Sequence, residues 1–160
     1  MRQVTGDTKK SDVLPCLLIP VQSGRLILPS VTMAELTDYQ TPVACPHTSD
    51  WLLGRMEWRG TMIPVISYEH FCGQTMSAPG RNLRIVVVNT PGGSDAALKF
   101  FGVVVQGIPG LIKLEEAAIK EDSDCHLLKG QKLAVTLASG HAIVPDLEAI
   151  ESALLNESWQ

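Results

Sequence analysis

The stretch WLLGRMEWRGTMIPVI, Trp51–Ile66, decides how the rest of the chain is read. Two apolar runs flank Arg59-Gly60. Successive side chains of a strand point to opposite faces. Between Leu52 and Trp58 one face therefore carries Leu52, Gly54, Met56 and Trp58. The other carries Leu53, Arg55 and Glu57, with Arg59 following. One face is apolar and the other mostly charged, the pattern of a half-buried strand. Gly60 tolerates positive φ, so the chain can reverse there into a second strand ending at Ile66. Pro64 has no N–H for a ladder and belongs at an edge, a bulge or a strand end. The stretch predicts a β-hairpin with Arg59 at its tip or just before it. Read locally, Arg59 is a solvated turn residue, as most surface arginines are.

Outward from this hairpin the chain reads as many short strands. The candidates are Leu14–Val21, Arg25–Pro29, Leu52–Trp58, Met62–Ile66, Leu83–Asn89, Lys99–Gln106, Leu111–Lys113, Leu133–Ala138 and Ala142–Pro145. Turn signals separate them at Ser23-Gly24, Pro91-Gly92-Gly93, Pro109-Gly110 and Ser139-Gly140. Such punctuation predicts an all-β barrel or sandwich with few helices. Val31–Thr37 reads as a short helix capped by Ser30. Ser67 caps another short helix that Gly73 stops. LEEAAIKED has room for one turn at most. The clearest helix begins after Asp146, with Leu147, Ile150, Ala153 and Leu154 on one face. Thr75–Asn82, with Pro79-Gly80, reads as a connection between two halves. Each half runs strands and then a helix, after IPVI and after AIVP.

Composition narrows the function. At 160 residues, 45% of them apolar, the chain can bury the core of one ordinary domain. No apolar run approaches the roughly 20 residues that cross a bilayer. The polar start, MRQVTGDTKKSD, lacks an apolar segment of secretory type, so a cytoplasmic protein without membrane insertion is expected. A net charge of −4, with Lys9-Lys10 the only adjacent basic pair, disfavours nucleic acid. Three Trp, two Tyr and three Phe are too few for a stacking platform. Cys16, Cys45, Cys72 and Cys125 are widely spaced and form no C-x-x-C, so buried thiols are expected rather than disulfides.

Chemistry fares poorly. Cys45-Pro-His47, His70/Cys72 and Cys125-His126 lack a zinc-ligand rhythm, so no metal is expected. A small β-barrel enzyme using Cys45 or Cys125 as nucleophile is the alternative function. It needs a base and an oxyanion site that sequence neighbours rarely supply, and no nucleophile elbow occurs. PGGSD, Pro91–Asp95, has no lysine or helix pattern behind it and reads as a loop, not a phosphate cradle. No cofactor and no catalytic residue are expected. Trp51 and Trp58 are expected in the core of a first barrel, and Trp159 in a disordered tail.

GRMEWRGTMIPVISYEHFCG resembles the signature of the CheW-like domain family, chemotaxis coupling adaptors. Upstream, LPSVTMAELTDYQTPVACPHTSDWLLG resembles the segment in which a short helix leads to the signature glycine. Downstream, LRIVVVN, KFFGVVVQGIPGLIKL and ASGHAIVPDLEAIESAL resemble the second-half hairpin and the closing strand and helix. The resemblance spans roughly Leu14 to Leu155. It divides the chain into a flexible N-terminus (1–13), one domain of two interleaved subdomains (14–155) and a tail (156–160). It implies an all-β fold with a few short helices: two packed five-stranded SH3-like β-barrels plus a C-terminal helix. It implies no catalysis, and binding instead to the regulatory domain of a CheA-type histidine kinase, to the cytoplasmic tip of methyl-accepting chemoreceptors and to other CheW-like proteins in receptor arrays at the membrane. Residue by residue, it points to Arg59 and Gly60 of the hairpin, to Met33 and Glu35 of the short helix, and to Val104 and Gly107 of the segment facing the groove between subdomains.

Three positions depart from the family pattern. Ser67 and Gln106 stand where the family usually has acidic residues, and Pro145 precedes Asp146. The departures mark a divergent member, and a type IV pilus (twitching motility) system is expected as readily as a flagellar one.

Overall fold

The computed structural model describes residues 13–75 and 80–160. The expected flexible N-terminus, except Val13, and the middle of the Thr75–Asn82 connection lie outside the described residues. In chain order the strands are β1 (Val13–Val21), β2 (Gly24–Pro29), β3 (Met33–Asp38), β4 (Leu52–Trp58), β5 (Thr61–Ile66), β6 (Arg84–Asn89), β7 (Phe100–Val105), β8 (Gly110–Glu115), β9 (Lys120–Glu121), β10 (Gln131–Leu137) and β11 (Gly140–Pro145). Helix α1 spans Tyr68–Phe71 and α2 spans Leu147–Leu155. One sheet has the order β3-β6-β7-β5-β4, and the other has β8-β1-β2-β11-β10-β9. The first is continuous in sequence. The second joins the two opening strands to the closing four, so the halves interleave. It has six strands rather than the expected five, because the two-residue β9 pairs with Val135 and Thr136.

Apolar runs such as Ile85–Val88 are buried on both faces, and the strand period of two sorts them. Val86 and Val88 point into a central core between the sheets, while Ile85 and Val87 point into a second core beyond the first sheet. On β7, Phe101, Val103 and Val105 face the centre and Val104 faces outward. On β1 and β2, Leu17, Ile19, Leu26 and Leu28 face the centre, while Cys16 and Ile27 enter a third core under the other sheet. Three apolar layers separated by two sheets explain why these strands are uniformly apolar rather than alternating.

Every expected strand is present within a few residues. The expected helix over Val31–Thr37 is not. Ser30–Thr32 makes a single 3-10 turn, and the chain then pairs as β3 along β6, Leu36 opposite Val86 and Thr37 opposite Ile85. The exposed donors and acceptors of β6 decide this, overriding a weak helical propensity. Both helix caps are as expected. Ser67 Oγ accepts from the His70 N–H at 3.3 Å, and Asp146 Oδ1 accepts from the Ala149 N–H at 3.1 Å. Ser67 therefore keeps a capping role without a carboxylate. Gly73, at φ 82°, stops α1. Ile150 and Leu154 of α2 lie in the central core, with Leu147 and Ala153 packed against it.

Two tryptophans depart from expectation. Trp58 fills the core of the first sheet, but Trp51 lies in the central core, edge-on to Phe71 with ring centroids 4.9 Å apart. A bulge at Leu53 separates them: Leu52 pairs with Ile66 and Gly54 with Val65, so residues before and after it enter different cores. Trp159 is only 7% exposed and belongs to the central core. The expected disordered tail is thus seated, because a tryptophan following α2 can bury its ring against Trp51's layer.

Candidate docking surface

Arg59 and Gly60 form the two-residue loop of the β4–β5 hairpin, closed by the pair Trp58 and Thr61. Their φ values are 51° and 76°, the double positive φ of a type I′ turn. A glycine at the second position fits this geometry freely; an arginine at the first is strained by about 1 kcal/mol or more. Counting back from the closing pair, Arg55 and Pro64 form a non-hydrogen-bonded pair, so Pro64's nitrogen points away from β4. The parallel ladder to β7 begins only at Val65. This is why the hairpin tolerates a proline.

The Arg59 guanidinium is held twice. Nη2 donates to Glu35 Oε1 at 2.7 Å, and Cζ lies 4.9 Å from the centroid of the Trp58 ring. Trp58 in turn stacks at a tilt on Phe100, centroids 4.8 Å apart. The side chains of Arg59 and Glu35 are 68% and 37% exposed. An ion pair this wet contributes under about 1 kcal/mol to folding. Its effect is to orient a charge on a rigid aromatic base at the hairpin end. Beside it, between Glu35, Thr37 and Asp38 of β3 and Met56–Trp58 of β4, with Arg59 at its end, runs an open groove of about 360 Å³.

The structure brings three of the expected site residues together here: Arg59, Gly60 and, from β3, Glu35. The other three lie apart. Met33, also on β3 rather than on a helix, is half-buried against the central core. Val104 is 6% exposed, buried in the same core as Met56, Ile63 and Val65, and offers almost no side-chain surface to a partner. Its place on the outward-facing side of β7 sends it into that core. Gly107 lies in the β7–β8 connection, where a Cβ would come within 3.6 Å of Pro20.

Sequence reasoning missed the exposed apolar residues. Val31, 82% exposed, and Ile108, 70% exposed, are carried by the two connections that cross between sheets, β2–β3 and β7–β8. Leu111 follows on the edge strand β8, and Tyr39 and Val43 stand on the β3–β4 connection. An isoleucine caught between Gly107 and Pro109 was the one available signal: turn residues exclude it from a strand, and so from a core.

The thiols are all free. Cys16 and Cys72 are buried as expected, but Cys45 is half-buried and Cys125 exposed. Cys125 Sγ donates to the His126 carbonyl at 3.9 Å, and Cys45 Sγ to the carbonyls of Val43 and Trp159 at 3.8 and 3.5 Å. Main-chain carbonyls cannot serve as the base a nucleophile requires. Among the described residues no group of three or more His, Cys, Asp or Glu is placed to hold a metal ion.

Burial raises the Cys16 and Cys72 thiols above the ordinary 9.0, and raises the Tyr68 hydroxyl, which donates to the Gly130 carbonyl at 2.8 Å, above 10.0. The unfolded chain therefore releases these protons first as pH rises. Their contribution to stability is complete below the unfolded values and declines above them. Urea midpoints are expected to be flat from pH 7 to 8, to fall from about pH 9 as thiols ionise, and to fall more steeply past about pH 10. Urea unfolding followed by circular dichroism at pH 7.5, 9 and 10.5 measures this. A midpoint that rises with pH contradicts it.

Two sheets back to back carry an oriented charge at a hairpin end and exposed apolar side chains on both crossings. The chain belongs to the CheW-like domain family, whose model matches residues 15–154. Members of this family are non-catalytic scaffolds and adaptors of chemotaxis signalling. The fold is similar to that in the crystal structure of the scaffolding protein TtCheW from Thermoanaerobacter tengcongensis. The TM-score is 0.71 at 17% identity, over 84% of this chain and 89% of that one. No curated protein matches the chain by sequence. Among the described residues no helix is long and apolar enough to cross a membrane.

Proposed function

We propose that this chain couples methyl-accepting chemoreceptors to a CheA-type histidine kinase, by contact alone, in an array controlling flagellar or type IV pilus motility. The observation that carries the reading is Arg59, whose guanidinium is exposed yet already fixed by Glu35 and Trp58. Preorganised arginines and aromatics are the side chains on which interfaces concentrate their energy. The apolar residues on the sheet crossings support the other half of the reading. Val31 and Ile108 offer exposed apolar side chains on the connections between the sheets, contact area of the kind the tip of a receptor's helical hairpin would cover. The kinase regulatory domain would meet the hairpin end, and related CheW-like proteins could meet the same surfaces.

The test is affinity capture from the source cell, wild type against Arg59→Glu, with mass spectrometry of the eluate. Wild type is expected to retain a histidine kinase and a methyl-accepting receptor. Arg59→Glu is expected to reduce one of them by about tenfold or more, since a charge reversal at an oriented hot spot costs roughly 1.4 kcal/mol or beyond. Its melting temperature should stay within about 3 °C of wild type, because the ion pair is exposed. If neither protein is retained by wild type, the adaptor reading fails. If Arg59→Glu unfolds the domain, Arg59 is structural. The identity of the retained kinase tells the flagellar from the pilus pathway.

A further inference from the structure

The β3–β4 connection, residues 39–51, is long for a segment with no regular structure of its own. It makes a single bridge, Val43 with Arg55 of β4, whose two main-chain bonds measure 2.8 and 3.0 Å. Gln40 Nε2 adds a bond to the Glu57 carbonyl at 3.3 Å. These contacts hold its first half to the outer edge of β4. Its far end is anchored by Trp51, whose ring lies in the central core and whose carbonyl accepts from the Ser67 N–H at 2.8 Å. Between Val43 and Trp51 it is held by the segment that follows α2. The Glu157 carboxylate accepts twice from Ser49, from the backbone N–H at 2.8 Å and from Oγ at 2.9 Å. Two residues on, the Trp159 ring is inserted in the central core. The Trp159 carbonyl accepts from Cys45 Sγ at 3.5 Å and from Arg55 Nη1 at 3.4 Å. Arg55 is thus the meeting point: its backbone holds Val43, and its side chain holds Trp159.

We propose that Asn156–Gln160 is a strap that clamps the Cys45–Ser49 half of the β3–β4 connection against β4 and opens without the rest of the fold. The strap is attached by one side-chain carboxylate, one carbonyl and one aromatic ring. The sheets beneath it are held by continuous ladders and by cores on both faces. Elements with so few fastenings open at a lower free energy than the body they rest on. Lifting the strap therefore loosens Cys45–Ser49 while both sheets, and the two ends of the connection, stay in place. The clamp does not depend on any partner or on the adaptor reading.

The four thiols make this measurable in the intact protein. Cys45 lies under the strap, Cys125 is exposed, and Cys16 and Cys72 are buried in the body. Alkylation by iodoacetamide is followed residue by residue by peptide mass spectrometry. In wild type, Cys45 is expected to react more slowly than Cys125 and faster than Cys16 or Cys72. Glu157→Ala is expected to speed Cys45 by about tenfold, the loss of one charge-assisted hydrogen-bond pair. Cys16 and Cys72 should keep their wild-type rates. Ser49→Ala, which leaves the Ser49 N–H in place, should move Cys45 in the same direction by a smaller factor. An unchanged Cys45 rate in Glu157→Ala overturns the clamp. So does an equal acceleration of Cys16 and Cys72, which would mean that the strap opens only with the whole fold. Failure of the capture experiment would remove the adaptor reading and leave this result standing.

Discussion

Gly54→Ala is expected to destabilise the domain by about 4 kcal/mol and to lower its melting temperature by 10 °C or more. Gly54 sits at φ 146°, a backbone region that L side chains rarely adopt. A methyl group there would collide with the carbonyl of Val43. That carbonyl is the acceptor of the Arg55 N–H, so moving it breaks the bridge that docks the β3–β4 connection. Strain and two lost main-chain bonds act together, and neither partner of the collision is a flexible side-chain end. Thermal and urea unfolding by circular dichroism measure the loss. A change under about 1 kcal/mol would mean that the connection can dock elsewhere, and the account of this close approach would be wrong.

Trp159→Ala is expected to cost about 3 kcal/mol, within the usual range for removing a buried tryptophan from a core. For a chain of this size the melting temperature should fall by roughly 10 °C. Trp159 lies four residues beyond the end of α2, where a frayed tail would contribute nothing. The contrast between no effect and a large one makes the measurement decisive. Trp159→Phe, which keeps an aromatic ring in the same layer, should recover about half of the loss. If both variants melt with wild type, the ring is not seated in the central core in solution.

Most of the β architecture was legible locally. Alternation marked β4, turn glycines marked the hairpins, and Ser67 and Asp146 marked helix starts, because strand period, positive φ and orphan N–H groups are properties of near neighbours. The ordered blocks of the CheW-like signature added the pairing of two subdomains, which no local rule supplies. At the candidate site, Arg59 could be found from the turn alone, but the Glu35 that holds it could not. Glu35 is brought to it from β3, a strand that reads as a helix until β6 is laid beside it. Val104 misled in the opposite direction. Its run Val103–Val105 is apolar throughout, and nothing in such a run tells which side chain faces which core.

The amino-acid sequence by itself determined the period-two strands, their turns, the two capped helices and the hairpin that exposes Arg59. Only the tertiary structure decided that β3 is a strand, that Leu52 and Met56 enter different cores, that Trp159 is buried and that Glu35 reaches Arg59. The division has one physical cause. Local conformation is set by sterics and hydrogen bonds within a few residues, whereas these four outcomes depend on segments distant in sequence offering unpaired edges, apolar layers or opposite charge once the chain has closed on itself.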